Sequence, residues 1–286
     1  MSFATIGGVR IAYEEAGSGK PIVFIHEFAG STESWVPQMA HFAARYHTVA
    51  YNAIGYPPSD VPSDVALYEQ DRQVAYLYGL LAHLGLAHAH IVGLSMGSHT
   101  AIGFALAHPA MVRSLVLAGA GTGSTNVPAF RDDALRRAAL LREQGMQGLD
   151  SYLRGTTRAR FLQRDPAGWQ RFADLFMAHS AEGSANTLEG FQARRPSLYT
   201  LEDALRGLDV PTLVVTGDED DPCVEPSVYL KRTLPRSGLE VMAQSGHAVN
   251  IERPAEFNAA LDGFFADVEA GGWPRFDPGS GDSWRL

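Results

Sequence analysis

The sequence predicts an α/β fold, in which a mostly parallel, doubly wound sheet carries an inserted helical cap. Short apolar runs alternate with segments of helical spacing over the first 123 residues, a pattern typical of parallel strands joined by helices. Between residues 124 and 200 the patterns are helical, and the alternation returns after residue 201. We therefore expect a core domain formed by residues 1–123 and 201–270, with a cap formed by residues 124–200.

The composition is that of a folded protein without a polyanionic partner. Hydrophobic residues make up 45% of the 286 residues and charged residues 19%, and the formal net charge is -9. Binding to nucleic acid needs clustered positive charge, so this balance disfavours such a partner. The single cysteine, Cys223, permits no disulfide within the chain, and no segment has the pattern of a signal peptide or a membrane span. We expect a cytoplasmic monomer or homodimer without a membrane partner.

The first part of the core domain opens with a hairpin. Gly7 and Gly8 separate two short alternating segments, and such a glycine pair is a common hairpin signal. The apolar run over residues 21–25 is typical of a strand buried on both faces. The expected elements in chain order are strands over 3–6, 9–14 and 21–25, a helix over 35–45, a strand over 48–51, a helix over 68–84, a strand ending near 94, a helix over 98–107 and a strand over 114–118.

In the cap, apolar residues recur at helical spacing. The helices expected there are 131–144, 149–154, 169–179 and 187–193. The core domain resumes with a strand over 212–216, a helix over 225–234, a strand over 239–242 and a closing helix over 254–268. Residues 271–286 are rich in Gly, Pro, Ser and Asp, so we expect this tail to lie along the surface or to be mobile.

The most informative motif is Gly93-Leu94-Ser95-Met96-Gly97, because it lies between an apolar run and a helical segment. In a sharp turn from strand to helix the serine adopts a strained conformation, and its hydroxyl is lifted out of the sheet. Glycine is needed two residues before and two residues after, where a Cβ atom would collide with the neighbouring strand or helix. The motif therefore predicts that Ser95 is a nucleophile.

A serine nucleophile requires a base and a carboxylate that orients the base. Two later loops carry such groups at the carboxyl ends of predicted strands. The acidic run Asp218-Glu219-Asp220-Asp221 follows the strand over 212–216, and His247 follows the strand over 239–242. The chain order Ser, Asp, His is the order expected for this type of sheet.

With these motifs together, the chain resembles the α/β-hydrolase superfamily over nearly its whole length. The resemblance implies a capped serine hydrolase that needs neither a cofactor nor a metal. It also implies that Ser95 is the nucleophile and His247 the general base. The acid falls on Asp220, three residues after Gly217, and Asp221 is the alternative.

The resemblance further implies an oxyanion hole formed by the backbone NH groups of Met96 and Phe28. One departure from the family pattern lies beside it, since Glu27 follows His26 where many relatives carry glycine. A carboxylate directed at a developing oxyanion would destabilise it. We therefore expect Glu27 to turn away into hydrogen bonds with neighbouring loops, and a role in binding a substrate cation or positioning water is the alternative. His26 is expected to hold its loop.

The cap aromatic residues are expected to form the cap's own core, and Phe172, Phe176 and Phe191 are the candidates for substrate contacts, since such pockets are usually apolar. The cap also carries eleven arginines against eight acidic residues, a net charge of +3. These arginines either form ion pairs at the surface or attract anionic substrates into the cleft.

The predicted function is hydrolysis of a small-molecule ester, lactone or related acyl compound through an acyl-enzyme. A carbon–carbon bond hydrolase is an alternative, although such relatives usually carry Asn before the serine and Trp after the histidine, where this chain has Leu94 and Ala248. A second alternative is a non-catalytic ligand-binding member of the fold, which the complete set of Ser, His and Asp disfavours.

Overall fold

The computed structural model describes residues 1–275, and within them the strands form one eight-stranded sheet. The strands are β1 Ser2–Ile6, β2 Val9–Ala16, β3 Lys20–Ile25, β4 Tyr46–Tyr51, β5 Ala89–Leu94, β6 Val112–Ala118, β7 Thr212–Gly217 and β8 Ser237–Met242. Their order in the sheet is β1-β2-β4-β3-β5-β6-β7-β8. The pairs β1–β2 and β2–β4 are antiparallel and the remaining pairs are parallel, which confirms the predicted sheet.

The central strands are buried on both faces because helices cover both sides of the sheet. Successive side chains of a strand point to opposite faces, so the residues of β3 divide between two hydrophobic cores. Val23 and Ile25 belong to the larger core, whereas Ile22 and Phe24 belong to the smaller one on the other face. This division explains why the apolar run of β3 is continuous and does not alternate.

The helices connect the parallel strands and fill the region between β6 and β7. They are α1 Val36–Phe42, α2 Gln70–His83, α3 Met96–Ala107, α4 Val127–Gln144, α5 Asp150–Leu153, α6 Thr156–Arg164, α7 Pro166–Met177, α8 Ala181–Thr187, α9 Glu202–Gly207, α10 Asp221–Thr233, α11 Val249–Glu252 and α12 Pro254–Glu269. Short 3-10 helices occupy Thr32–Trp35, Val65–Tyr68, Pro109–Met111, Gly145–Leu149 and Leu198–Leu201, and a π-helix occupies Leu188–Gln192.

Two differences from the sequence prediction concern elements near the site. Helix α6 was not expected, because its buried face is formed by Arg158 and Phe161, and an arginine does not register in an apolar pattern. Helix α10 begins at Asp221, four residues before the predicted start at residue 225. Proline is compatible with the first turn of a helix, where its missing NH has no intrahelical acceptor, so Pro222 does not delay the start.

The predicted tail over 271–286 lies only partly within the described residues. Its first residues follow the surface of the sheet domain, since the indole NH of Trp273 donates to the Arg236 carbonyl at 3.0 Å. The Trp273 ring also packs edge-on against Phe264, with 4.8 Å between ring centroids. Residues 276–286 lie outside the described part of the chain. Among residues 1–275, no helix is both long enough and apolar enough to cross a lipid bilayer.

Candidate active site

The turn between β5 and α3 presents Ser95 at the carboxyl edge of the sheet. Ser95 has φ 54° and ψ -110°, a conformation that a non-glycine residue rarely adopts. A Cβ atom at Gly93 would overlap the backbone of Gly97, and a Cβ atom at Gly97 would overlap the Ile25 carbonyl of β3. Both glycines are therefore needed for the chain to make this turn, as the motif predicted.

Two hydrogen bonds connect Ser95 with His247 and Asp220. His247 Nε2 lies 2.8 Å from Ser95 Oγ, and His247 Nδ1 lies 2.7 Å from Asp220 Oδ2. Asp220 is fully buried at the loop between β7 and α10, whereas Asp221 is exposed in the first turn of α10. Of the two acids left open by the sequence, the structure brings only Asp220 to the histidine.

The charge of Asp220 is maintained by its neighbours. Burial by itself raises the pKa of a carboxyl group, but the charge of His247 and the hydrogen bond with it hold the pKa of Asp220 below its usual value. An ionised Asp220 accepts a hydrogen bond from the Nδ1–H group of His247. This leaves His247 Nε2 with a lone pair directed at the Ser95 hydroxyl.

Cys223 lies beside Asp220 and His247, and the three side chains together are a candidate metal site. Ligand atoms of Asp220, Cys223 and His247 lie within 4.8 Å of one another. Metal binding needs a thiolate, yet burial and the nearby Asp220 raise the pKa of the Cys223 thiol, which lies 3.2 Å from the Gly119 carbonyl as a hydrogen-bond donor. The side chains of Asp220, Cys223 and His247 therefore fit a hydrogen-bonded arrangement better than a metal centre.

The His247 loop is fixed on both sides by other chain segments. The buried carboxylate of Glu252 accepts hydrogen bonds from Gly246 N at 2.9 Å and from Ala248 N at 3.0 Å. His247 N donates to the Thr157 carbonyl of α6 at 2.8 Å. The orientation of the imidazole therefore depends on Glu252 and on the start of α6, neither of which the sequence analysis identified.

We expect Glu252→Ala to lower kcat on the order of 10²-fold, because small displacements of a catalytic group have effects of that size. It also leaves two buried NH groups without an acceptor, so the free energy of unfolding should fall by about 2–4 kcal/mol. Glu256→Ala is the matched control, since Glu256 is exposed at the surface, where it pairs with Arg253. Steady-state kinetics and denaturant unfolding test both effects, and an unchanged kcat in folded Glu252→Ala protein would contradict the positioning role.

The candidate oxyanion donors belong to two segments, the start of α3 and the loop after β3. Met96 is the first residue of α3, where backbone NH groups have no intrahelical acceptor. Phe28 lies in the loop after β3, which His26 holds in place. Ala53 N donates to His26 Nε2 at 2.9 Å, and His26 Nδ1 lies 2.6 Å from the Glu27 carbonyl. Burial lowers the pKa of His26 to about 3, so this histidine is neutral and structural, as expected.

A cavity of about 360 Å³ lies between the loop after β3 and helices α6 and α7. The cavity is lined in part by Glu27, Phe172 and Phe176, which the sequence analysis proposed as substrate contacts. Ser95 is not among its lining residues. Glu27 is near both the cavity and the Ser95–His247 pair. It lines the cavity, and it is close enough to His247 for their charges to interact.

Phe191 was expected to be a third aromatic substrate contact, and the structure corrects this expectation. It is 1% exposed in the π-helix Leu188–Gln192 and packs in the larger hydrophobic core, away from the cavity lining. Phe161 lines the cavity instead. Helical spacing in the sequence could not show that Phe161 lines the cavity and Phe191 does not. A π-helix changes the direction of its side chains relative to an α-helix.

Glu27 makes only part of the contacts that the sequence analysis expected. Its Oε1 accepts a hydrogen bond from Ser34 Oγ at 2.9 Å, but its buried Oε2 has no partner among the described residues. The carboxyl group lies directly over Gly30, where an added Cβ atom would come within 2.6 Å of it. Burial raises the pKa of Glu27, although Ser34 and Arg158 act in the opposite direction.

Comparison with known proteins finds a matching family model and several hydrolases to which this chain is similar. Residues 20–254 match the family model described as alpha/beta hydrolase fold. The chain is similar to 2-hydroxymuconate semialdehyde hydrolase of Pseudomonas sp. (strain CF600), with 27% identity over 92% of this chain and 93% of the relative. It is also similar to 3-oxoadipate enol-lactonase 2 of Acinetobacter baylyi, with 26% identity over 84% and 86%. A thermophilic esterase from Thermogutta terrifontis has the same fold, with a TM-score of 0.84, 24% identity and coverage of 93% and 98%.

Proposed function

Because this chain belongs to the alpha/beta hydrolase fold family, we propose that it is a serine hydrolase acting on an ester, a lactone or a related acyl compound. The observation that carries the proposal is the pair of hydrogen bonds that join Ser95 Oγ to His247 Nε2 and His247 Nδ1 to Asp220 Oδ2. A strained turn that presents a serine hydroxyl to a histidine supported by a buried carboxylate is the arrangement that activates a serine for acyl transfer.

In the proposed mechanism Ser95 Oγ attacks the substrate carbonyl while His247 Nε2 takes the hydroxyl proton. Asp220 keeps the imidazole in the correct tautomer and stabilises the imidazolium that forms. The backbone NH groups of Met96 and Phe28 stabilise the negative charge on the carbonyl oxygen. His247 then protonates the leaving group, and a water molecule repeats the sequence on the acyl-enzyme.

The cavity supports a small substrate with an apolar portion. Its volume of about 360 Å³ lies near the lower end of the range of small-molecule sites. Phe161, Phe172 and Phe176 contribute aromatic walls, and Phe28 packs edge-on against Phe176 with 6.4 Å between ring centroids. The aromatic lining therefore extends from the cavity to the loop that would supply an oxyanion donor.

A carbon–carbon bond hydrolase is the second candidate, favoured by the similarity to 2-hydroxymuconate semialdehyde hydrolase. The same serine, histidine and aspartate would serve that reaction. Leu94 and Ala248 stand at the positions where such relatives usually carry Asn and Trp, and we therefore rank acyl ester or lactone hydrolysis first.

The proposal is tested by assaying the purified protein with p-nitrophenyl esters of graded acyl length, simple lactones and a 2-hydroxy-6-oxo-dienoate. We expect turnover of an ester or a lactone and a covalent adduct on Ser95 after treatment with a fluorophosphonate, detected by mass spectrometry. Preferential cleavage of the dienoate would favour the second candidate. Failure to turn over any substrate, together with no adduct on Ser95, would indicate a non-catalytic member of the family.

A further inference from the structure

We propose that the Arg158 guanidinium and the Glu27 carboxyl group form a subsite for a carboxylate on the substrate. The enzyme would then prefer acyl compounds that carry a second, free carboxylate. This inference rests on the proposed function, because it names the substrate class of the same site. It depends on two buried side chains whose charges interact, Arg158 and Glu27, each of which has one polar atom without a hydrogen-bond partner among the described residues, Arg158 Nε and Glu27 Oε2.

The arginines of the cap region divide into paired and unpaired groups. Most of them form ion pairs with acidic side chains, namely Arg136, Arg137, Arg142, Arg154, Arg160 and Arg194. Arg158 and Arg195 are buried instead, with 3% and 9% exposure, and neither forms an ion pair within residues 1–275. Arg131, Arg164 and Arg171 form no ion pair among the described residues either, but they are exposed to water, so Arg158 and Arg195 are the cap arginines whose charge is buried without an anionic partner.

Arg158 and Arg195 differ in what surrounds them. Arg195 donates to the Thr122 carbonyl and lies over the Phe130 ring, beside a separate small pocket. The guanidinium of Arg158 has one hydrogen bond, to the Tyr152 hydroxyl at 3.3 Å, and its Nε has no acceptor among the described residues. Of these two arginines, Arg158 is the one with a buried donor atom that has no acceptor among the described residues.

Burying a guanidinium without an anion is unfavourable, since the charge loses its hydration. Aromatic faces offset part of this cost, because the Arg158 guanidinium carbon lies 4.7 Å from the centroid of the Tyr152 ring and 5.9 Å from that of Phe172. Asp220 is the nearby anion, and its Oδ2 accepts from His247, but no hydrogen bond or ion pair joins its carboxylate to Arg158 among the described residues. A carboxylate brought by the substrate would supply the missing partner in the two-point geometry that arginine favours.

The position of Arg158 places its charge next to the reacting groups. The preceding residue, Thr157, accepts the hydrogen bond from His247 N at 2.8 Å. Phe172, over which the guanidinium lies, lines the cavity. Arg158 does not itself line the cavity, so a substrate carboxylate would reach it past Phe172, on the side where the charge of Arg158 acts on Asp220.

Glu27 completes the subsite from the opposite loop. The Ser34 hydroxyl occupies Oε1, so Oε2 is the oxygen left to meet a ligand. Burial raises the pKa of Glu27 and so favours its neutral form, which can donate a hydrogen bond to a carboxylate through Oε2–H. With Arg158 positive and Glu27 neutral, one bound carboxylate balances the charge of the subsite, whereas an additional cation would not.

The test compares pairs of p-nitrophenyl esters that differ in charge and little else. Each pair consists of the half-ester of succinic, glutaric or adipic acid and the corresponding neutral methyl diester. After subtraction of spontaneous hydrolysis, we expect the wild-type ratio of kcat/KM, half-ester over diester, to reach about 10 to 100 for one chain length, the range typical of hydrogen bonds to charged groups.

Matched variants assign that ratio to the subsite. Arg158→Met should bring the ratio close to one, and Arg158→Lys, which keeps the charge without the planar fork, should give an intermediate ratio. Glu27→Gln retains a donor and should keep more of the ratio than Glu27→Leu. Arg136→Gln removes the same charge from an exposed position paired with Asp133 and should leave the ratio unchanged. Thermal unfolding verifies that each variant is folded.

A binding measurement tests the carboxylate subsite independently of ester hydrolysis. Calorimetry with glutarate on Ser95→Ala protein should show binding that weakens about tenfold or more when Arg158→Met is added. Such binding without turnover by the wild type would refute the proposed function and retain the subsite. Ester turnover with a ratio of one or less at every chain length, a ratio unaffected by Arg158→Met, or no glutarate binding would overturn the subsite.

Discussion

Replacing Ser95 by alanine is expected to lower ester turnover by about 10⁴- to 10⁶-fold while leaving the fold intact. Within residues 1–275, the only side-chain hydrogen bond of Ser95 goes to His247, so little structural support is lost with the hydroxyl. The turn itself depends on the glycines at positions 93 and 97, and alanine at φ 54° meets the same backbone strain as serine. The residual rate would come from the donors of the oxyanion hole and from substrate binding.

Ser98→Ala provides a matched control for the same turn. The buried Ser98 hydroxyl donates to the Gly93 carbonyl at 2.8 Å and lies 2.9 Å from the Ala118 carbonyl, so its loss should lower the free energy of unfolding by about 1 kcal/mol. We expect this variant to keep most of its activity. Initial rates and denaturant unfolding measure the two effects. More than a hundredth of wild-type activity in Ser95→Ala protein would show that another group is the nucleophile.

The second large effect is expected for Asp220→Asn, with a loss of about 10⁴-fold in kcat. An asparagine amide can present its NH₂ group to His247 Nδ1, which places the imidazole proton on Nε2 and removes the base from Ser95. Asp221→Asn changes an exposed carboxylate in the first turn of α10. It should affect stability by a few tenths of a kcal/mol up to about 1 kcal/mol and leave kcat near the wild-type value.

The comparison is made with steady-state kinetics on the ester that the wild type turns over best. Near-UV circular dichroism on each variant shows whether the tertiary packing is retained. Equal large losses in Asp220→Asn and Asp221→Asn would mean that the loop acts as a unit. A large loss in Asp221→Asn alone would transfer the orienting role to Asp221 and contradict the geometry at His247.

Local chemistry explains what was predictable from the sequence. The strand β3 and the turn at Ser95 depend on residues that are neighbours in the chain, where apolar patterning and the absence of Cβ atoms restrict the backbone directly. The meeting of Ser95, Asp220 and His247 was predictable for a related reason, since groups at the carboxyl ends of the parallel strands of one sheet lie along the same edge.

Only the tertiary structure decided the remaining assignments, because burial and pairing depend on segments far apart in the chain. Asp220 and Asp221 are adjacent and chemically identical, yet the start of α10 turns one toward His247 and the other toward solvent. Arg158 looks like the other arginines of the cap region in the sequence, and only the packing of α6 beside His247 shows that it is buried without an ion pair among the described residues. A sequence records the charge of a side chain, whereas the fold decides whether water, an ion pair or a substrate will compensate it.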